Sequence, residues 1–278
     1  MSHGRFPPAN PTVSVVCDLA AVSRVLDDDP VVTCMCAELA ENPRGAGGEL
    51  WTCGRVDESL CYSGAALIPL RGLPVELESF ADKALRGSRR YTWLMGRPEL
   101  AIPMWQRLAP VWGPARYVRA DQPVLAIDRM PDCAVDPAVR QVEPCELEAY
   151  RAATATEIRD EFGVDPDVDA AGRNYRRRLA HIIAAGRAWA RFEDGAVVFK
   201  AEVGVQSARA ALIQGVWVHP QWRGRGLCAP GTAAVVSSIV GAGRIACGYV
   251  AHSNAPARAA YDRVGFTQVG SVVSILLA

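Results

Sequence analysis

The stretch Gln214-Gly215-Val216-Trp217-Val218-His219-Pro220-Gln221-Trp222-Arg223-Gly224-Arg225-Gly226-Leu227 decides the fold of the second half of this chain. Residues 211–218 are apolar and partly β-branched, which predicts a strand, and Pro220 ends it because proline cannot donate to a β-ladder. A glycine turn follows, and then the Ala/Val-rich segment 233–240, which predicts a helix. A strand, a glycine turn and a helix form a cradle for phosphate, because glycines admit close backbone approach and the helix start offers unpaired N–H groups.

The turn alone is also compatible with an ordinary strand-to-helix connection. It lacks the Gly-Lys-Ser/Thr of a Walker loop, and it lacks the Gly-x-Gly-x-x-Gly with a following acid that marks a dinucleotide site. The remaining pattern places Gln221, Gly224 and Gly226 after an apolar strand that ends in Val-x-Pro. Arg223 and Arg225 can add charge-assisted contacts to a phosphate.

This pattern resembles the acyl-CoA pyrophosphate loop of the GNAT superfamily of N-acetyltransferases, and a second segment extends the resemblance. Residues 254–266 are similar to the family's Asn-x-x-Ala-x-x-x-Tyr-x-x-x-Gly-Phe segment, with matches at Asn254, Ala257, Tyr261, Gly265 and Phe266. The two segments occur in the family's order and cover roughly the C-terminal half of the chain. The implied fold class is α+β, with a mixed, mostly antiparallel twisted sheet flanked by helices.

The length of 278 residues predicts two domains, at 12–130 and 138–278, with residues 130–137 as the linker. The net formal charge of zero gives no reason to expect nucleic-acid binding. No apolar run is long enough to span a bilayer, and the N-terminus lacks a basic-then-apolar signal pattern, so no membrane association and a cytoplasmic location are expected. The nine cysteines include no Cys-x-x-Cys, which favours free thiols over a disulfide framework or a zinc site, and no metal is expected.

The first half shows nearly the element order expected of the second half, namely helix, hairpin, turn, helix, strand, helix and strands. This order predicts an internal repeat in which the N-terminal domain is a degenerate GNAT-like copy. The place of the phosphate loop holds Leu70-Arg71-Gly72-Leu73-Pro74, where one glycine remains and Pro74 removes a donor. The copy is therefore expected to have lost the CoA cradle. An unrelated α+β domain with a coincidental element order is the alternative.

The resemblance implies acetyl transfer from acetyl-CoA to an amine. It assigns the pyrophosphate to the backbone N–H groups of residues 223–227, and polarisation of the thioester carbonyl to the N–H of Val218. Tyr261 matches the tyrosine that protonates the leaving thiolate, although a tyrosine that only packs on the sheet would look the same. Asn254 matches the residue that contacts the pantetheine arm. The implied cofactor-binding set is Val216, Val218, Arg223, Gly224, Arg225, Gly226, Leu227, Asn254 and Tyr261.

The group that takes the proton from the amine is left open by the sequence. Relatives often carry a carboxylate at or near Gln214, and glutamine cannot serve as a base. Glu202, on a predicted strand near the reaction centre, is the first candidate and completes the catalytic set Tyr261, Glu202 and Val218. His252 is the second candidate and a water chain is the third. Strand alternation puts Lys200 and Glu202 on the same face of their strand, which is also the pattern of a surface ion pair. The other face carries the apolar residues Val197, Phe199, Ala201 and Val203.

An acidic segment follows the first predicted helix of the second half, where this family's acceptor site usually lies. The negative charge of this segment is compatible with binding of a cationic amine, and equally with an ordinary solvated loop. Its acidic residues are Glu157, Asp160, Glu161, Asp165, Asp167 and Asp169. The predicted function is acetyl transfer to the primary amine of a small molecule. The alternatives are a protein acetyltransferase acting on lysine or N-terminal amines, and a non-catalytic acyl-CoA-binding regulatory module. The expected partner is the amine acceptor, which is a small molecule or a protein. A homodimer is the assembly that we consider for the chain itself.

Overall fold

The computed structural model describes residues 11–41, 48–87, 91–166 and 169–277. The chain divides into two compact units, here called unit 1 (Met1–Pro123 with Gly270–Ala278) and unit 2 (Val124–Val269). The bounds expected from the sequence, 12–130 and 138–278, differ from this division in one important respect. They assign the last strand to the second domain, whereas residues 270–278 lie in unit 1.

Unit 1 contains a mixed sheet with helices packed on it. Its elements are β1 (Ser14–Val15), α1 (Leu19–Asp27), α2 (Cys34–Glu41), β2 (Glu49–Thr52), β3 (Leu60–Ser63), β4 (Ala66–Arg71), α3 (Pro74–Arg86), β5 (Trp93–Gly96), α4 (Pro98–Trp112) and the first part of β6 (Ala115–Ile127). Strands β1 to β4 pair antiparallel in sequence order, and β4 pairs with β5 in parallel. The main core lies under α3 and α4 and includes Phe80, Leu94, Met104 and Leu108.

Unit 2 has the same kind of architecture. Its elements are β7 (Arg140–Gln141), a 3-10 turn (Pro144–Glu146), α5 (Leu147–Phe162), α6 (Asp169–Ala184), β8 (Ala188–Glu193), β9 (Ala196–Gln206), β10 (Ala210–Val218), a second 3-10 turn (Pro220–Trp222), α7 (Cys228–Gly241), β11 (Ile245–Tyr249), α8 (Ala255–Val264) and the first part of β12 (Thr267–Leu277). Strands β7 to β10 pair antiparallel in sequence order, and β10 pairs with β11 in parallel.

The two units are copies of one element order, which confirms the predicted two-domain α+β fold. The run from β1 to β6 and the run from β7 to β12 place strands and helices in the same sequence, and the fourth and fifth strands of each run are parallel. The boundary between the units falls within the last strand of each run. Residues 124–127 of β6 pair with β11 in unit 2, and residues 273–276 of β12 pair with β5 in unit 1.

The two faces of the sheet in unit 2 carry separate cores. Phe199, Ala201 and Val203 pack with α7 and α8, and Tyr150, Leu179 and Trp217 pack between α5, α6 and the opposite face. Helix α7 approaches β9 closely, because a Cβ placed on Gly231 would lie 2.7 Å from the Phe199 ring. Val197 does not share the face of Phe199 as expected. A register shift between β8 and β9 moves Val197 to the core under α5 and α6.

Several element bounds differ from those that local sequence patterns predict. The apolar run 60–67 predicts one strand, whereas the structure has two, because the chain bends at residues 64–65. Two short strands are predicted within 116–127 and two within 266–277, and each pair is one continuous strand, β6 or β12. The Pro-rich segment 110–114 predicts a turn, but α4 continues through Pro110, and its last residue Trp112 packs on Tyr91 with ring centroids 5.5 Å apart. The sequence also predicts a tail over 1–11 and a loop over 42–48, and both lie almost wholly outside the described residues.

Three further properties concern the whole described chain. All nine cysteines are free thiols, and Cys34, Cys36, Cys61 and Cys247 are buried. In the ranges that the structure describes, no helix is long and apolar enough to cross a membrane. Within the same ranges, no group of three or more His, Cys, Asp or Glu side chains is arranged to hold a metal ion.

Candidate functional site

Strand β10 carries a β-bulge that separates it from β11. Gln214 is opposite Glu202 on β9 and Trp217 is opposite Lys200, so two residues of β10 face one residue of β9. The bulge is formed at Gly215, whose φ of +59° is easily adopted by glycine. Parallel pairing with β11 extends from Ala210 to Leu212 and stops before the bulge. A gap therefore opens between the carboxyl ends of β10 and β11.

The backbone of Val218 faces this gap. The next residue, His219, donates its N–H to the carbonyl of Val198 on β9 at 3.0 Å. Because successive N–H groups of a strand point to opposite sides, the N–H of Val218 points away from β9, toward the side where β11 has separated. The side chains of Val216 and Val218 pack against the core under α7 and α8. The Val218 N–H is therefore directed into the gap between β10 and β11.

The glycine turn lies directly after β10 and forms an open cradle. Gly224 and Gly226 have φ values of +74° and +79°, and a Cβ on either would meet no atom within 4 Å. The N–H of Arg223 donates to Pro220 at 3.3 Å, and the next N–H that finds a backbone acceptor is that of Gly231, bonded to Leu227 at 3.0 Å. Among the described residues, the N–H groups of 224–228 have no hydrogen-bond acceptor. The usable donors therefore begin at Gly224, one residue later than expected.

Helix α7 begins at Cys228, immediately after the turn. Pro230 could delay the start of the helix, because the residue before a proline disfavours helical dihedrals, but the structure shows no such delay. Pro230 occupies the third helical position, where an N–H would have no helical acceptor, so a proline costs little there. The positive end of the helix dipole therefore reaches the turn at Leu227 and Cys228.

The two arginines of the turn are engaged by neighbouring groups. Arg223 donates through Nε to the Val218 carbonyl at 3.2 Å and pairs with Asp160 of α5 at 3.3 Å. The guanidinium of Arg225 lies 4.8 Å from the centre of the Trp222 ring, a cation–π distance. Both side chains are exposed. The backbone N–H groups, and not the arginine side chains, are therefore the preorganised donors of the cradle.

Tyr261 and Asn254 lie on α8, on the other side of the gap. The Tyr261 hydroxyl lies 3.7 Å from the position that a Cβ on Gly248 would take, just beyond the last β11 residue that pairs with β10. Its ring packs edge-on against Phe266 with centroids 5.0 Å apart, and burial raises the pKa of its hydroxyl well above the usual value. Asn254 caps α8 by accepting the N–H of Ala257 at 3.1 Å, which leaves its amide nitrogen for other contacts.

A buried cluster of charges lies under α5 and α6, on the other face of the same bulge. Lys200 is fully buried, and its ammonium is 2.5 Å from Glu157, 3.8 Å from Glu202 and 3.1 Å from the Gly215 carbonyl. Glu202 also accepts a hydrogen bond from Arg178 of α6 at 2.9 Å. The pair Lys200 and Glu202 is therefore part of the interior, and the interpretation as a surface ion pair is wrong.

The two carboxylates of the cluster differ in pKa. Burial opposes ionisation of Glu202, but Lys200 and Arg178 outweigh that cost and hold its pKa below the usual value. Burial also opposes ionisation of Glu157, and there the nearby Lys200 does not compensate fully, so the pKa of Glu157 is raised. Gln214 lies beside Glu202 and further favours its ionised form. The ionised form of Glu202 is thus favoured by two neighbouring cations, which weakens its predicted role as a base.

The acidic segment is less negative than the sequence suggested. Helix α5 extends to Phe162, so Glu157, Asp160 and Glu161 are helical and do not belong to a loop. Asp160 pairs with Arg223, and Asp165 pairs with Arg159 at 3.3 Å. Asp167 and the side chain of Asp169 lie outside the described residues. His252, the second candidate base, is exposed on the turn between β11 and α8.

Sequence reasoning missed Glu157 and Arg178 as partners of Lys200, and it missed Tyr150, whose ring lies 5.5 Å from the Lys200 ammonium. One signal was present. Lys200 is one of only two lysines in an arginine-rich chain, and it interrupts an apolar strand. A cation in such a place requires a buried partner, but the partner on α5 could not be identified from spacing.

Comparison with family models gives two matches. Residues 48–150 match a domain of unknown function (DUF4081), and residues 203–273 match the FR47-like protein family. Comparison with curated proteins gives no significant match.

Comparison with solved structures gives similarity over nearly the whole chain. A Drosophila protein is similar with a TM-score of 0.67 at 11% identity, covering 96% of this chain and 99% of that one. An acetyltransferase of the GNAT family from Colwellia psychrerythraea is similar with a TM-score of 0.57 at 10% identity, covering 96% and 100%. A tandem GNAT protein from the clavulanic acid biosynthesis pathway has a TM-score of 0.55 at 14% identity, covering 95% and 98%.

Proposed function

We propose that this chain, whose fold is that of the tandem GNAT proteins, transfers an acetyl group from acetyl-CoA to the primary amine of a small molecule, and that unit 2 carries the site. The main support for the proposal is that three features lie around the gap between β10 and β11. These are the unpaired N–H groups after β10, the Val218 N–H directed into the gap, and the Tyr261 hydroxyl at its other side.

Each feature matches a requirement of acyl transfer from a thioester. Backbone N–H groups at residues 224–228 and the start of α7 suit a pyrophosphate, which needs several donors in a concave arrangement. The Val218 N–H would stabilise the negative charge that develops on the thioester oxygen. Tyr261 would donate its proton to the leaving sulfur, since a tyrosine hydroxyl is protonated at neutral pH and burial raises its pKa further.

Unit 1 offers a comparison within the same molecule. In the equivalent turn, after β4, the N–H of Leu73 donates to the carboxylate of Glu76 at 2.7 Å. Helix α3 begins with Pro74, which has no N–H to offer. A negative side chain therefore occupies the donor position that a phosphate would need. This comparison supports binding of acetyl-CoA to unit 2 alone.

The experiment uses the full-length protein. Titration calorimetry with acetyl-CoA should give one molecule bound per chain. Release of the CoA thiol, followed with a panel of small primary amines, should then identify at least one acceptor. Turnover only with peptides would replace the proposal by a protein acetyltransferase. Binding without turnover on any amine or peptide would favour a non-catalytic acyl-CoA-binding module. Absence of binding would refute the proposal.

A further inference from the structure

Glu157 is the carboxylate that reaches the bulge of β10 from the face opposite α7. A Cβ placed on Gly215 would lie 3.3 Å and 3.5 Å from its two carboxylate oxygens. Its side chain is 13% exposed, so it is mostly enclosed but retains a path to solvent. The bulge is also the feature that separates β10 from β11. Glu157 therefore lies beside the backbone segment whose other edge faces the proposed thioester.

The other carboxylates of this region are less suitable for accepting a proton. Glu202 is 3% exposed and its carboxylate is held between Arg178 and Lys200. It is opposite Gln214, which is before the bulge and farther along the strand from Val218. Asp160 and Asp165 are paired with Arg223 and Arg159 at the surface. Among the described residues, Glu157 combines proximity to the bulge, partial access and incomplete charge compensation.

We propose that Glu157 accepts the proton of the acceptor amine and that Lys200 is the positioning residue that holds it against the bulge. This inference rests on the proposed function. The ammonium form of the amine gives one proton to the Glu157 carboxylate, and the nitrogen lone pair attacks the thioester carbon. The bond from carbon to sulfur then breaks, and the thiolate takes the proton of Tyr261. The nitrogen then loses its second proton to solvent to give the amide, the Glu157 proton returns to solvent, and Tyr261 regains a proton from solvent, so that one proton is released per cycle.

The surroundings of Glu157 suit this role. Burial raises its pKa, as do Glu202 of β9 and Glu161 of its own helix, whereas Lys200 lowers it. Arg178 of α6 is bonded to Glu202 and not to Glu157. A carboxyl with a raised pKa accepts a proton more readily than an ordinary glutamate. Lys200 also bonds the Gly215 carbonyl, so one side chain fixes both the base and the bulge.

The test is the pH dependence of kcat/KM for three glutamine variants, measured with the acceptor found in the amine panel. Glu157→Gln should lower kcat/KM by about 10²-fold or more and remove the acidic limb of the profile. Its acetyl-CoA affinity should be that of the wild type, which also reports a correct fold. Glu202→Gln should keep the acidic limb. Glu148→Gln is the matched control, because Glu148 lies on the same helix in exposed pairs with Arg151 and Arg176.

The role of Lys200 has its own readout. Lys200→Met removes the cation that favours the ionised form of Glu157, so the acidic limb should move to higher pH, which a purely structural role would not cause. If Lys200→Met does not fold, the pH profile of Glu157→Gln alone tests whether Glu157 is the base. An acidic limb that survives in Glu157→Gln, or that disappears in Glu202→Gln instead, would overturn the inference while the proposed function stands. A wild type without turnover on any acceptor would overturn both.

Discussion

Replacing Lys200 by methionine should destabilise the protein strongly. Lys200 is 0% exposed, so its interactions are not screened by solvent. Its ammonium forms ion pairs with Glu157 and Glu202 and donates a hydrogen bond to the Gly215 carbonyl. Methionine keeps a similar side-chain length and removes the charge. Arg178 would still neutralise Glu202, but Glu157 would be left as an unpaired buried carboxylate. Removing one partner of a buried ion pair costs about 3–5 kcal/mol. That cost corresponds to a fall in melting temperature on the order of 10 °C.

The loss should depend on pH in a defined direction. Glu157 already has a raised pKa, and loss of Lys200 would raise it further. The penalty applies while Glu157 is ionised, above its folded-state pKa, and it decreases as the pH falls through that value. The difference in stability between Lys200→Met and the wild type should therefore be larger at neutral pH than at acidic pH.

Thermal and urea unfolding of the full chain measure this effect. Lys83→Met is the matched control, because Lys83 is the only other lysine and contacts Trp51 at 4.8 Å from the ring centre. Its loss should cost about 0.5–2 kcal/mol, the range for cation–π contacts from exposed to desolvated sites. The double variant Glu157→Met with Lys200→Met should be more stable than Lys200→Met alone, since it removes the unpaired carboxylate. Equal destabilisation by the two lysine variants, or a loss independent of pH, would refute the reasoning.

The remaining predictions concern the proposed acetyl-CoA site. Tyr261→Phe keeps the ring packed on Phe266 and should lower kcat about 10²-fold or more, with little change in the KM for acetyl-CoA or in stability. A wild-type rate would show that the tyrosine is only structural, and a loss of affinity with normal kcat would show that it binds. Gly224→Val should weaken acetyl-CoA binding in calorimetry more than Arg225→Ala, because valine strains the backbone at φ +74° and fills the cradle, whereas Arg225 is exposed. A larger loss for Arg225→Ala would show that side-chain charge holds the phosphate.

The exchange of terminal strands affects how the two units can be studied. Residues 273–276 pair with β5 of unit 1 although they follow unit 2 in the sequence, and residues 124–127 pair with β11 of unit 2. A chain cut between the predicted domains, near 130–137, would leave each unit without a strand of its own sheet. Binding experiments on the complete chain with point variants therefore avoid an artefact that separated halves would introduce.

The sequence alone determined the local features of the candidate site. The glycine turn after an apolar strand and the helix that follows it are properties of short segments, so residue type and spacing were sufficient to predict them. The turn at Asp194-Gly195 is a feature of the same kind, since Asp-Gly between two strands favours a hairpin and both residues adopt the positive φ that such a turn requires. The repeated element order was also visible, because each element has its own periodicity and boundaries.

The tertiary structure alone decided which distant residues meet. The bulge at Gly215 and the register shift before Val197 each change which face a side chain occupies, and neither leaves a periodic signal. Strand alternation found Lys200 beside Glu202, but the packing of α5 on the sheet brought Glu157 to 2.5 Å from the lysine and changed a surface pair into a buried cluster. The last strand joined unit 1 for the same reason, because β-pairing is a non-local interaction that depends on which sheet edge is available in the folded chain.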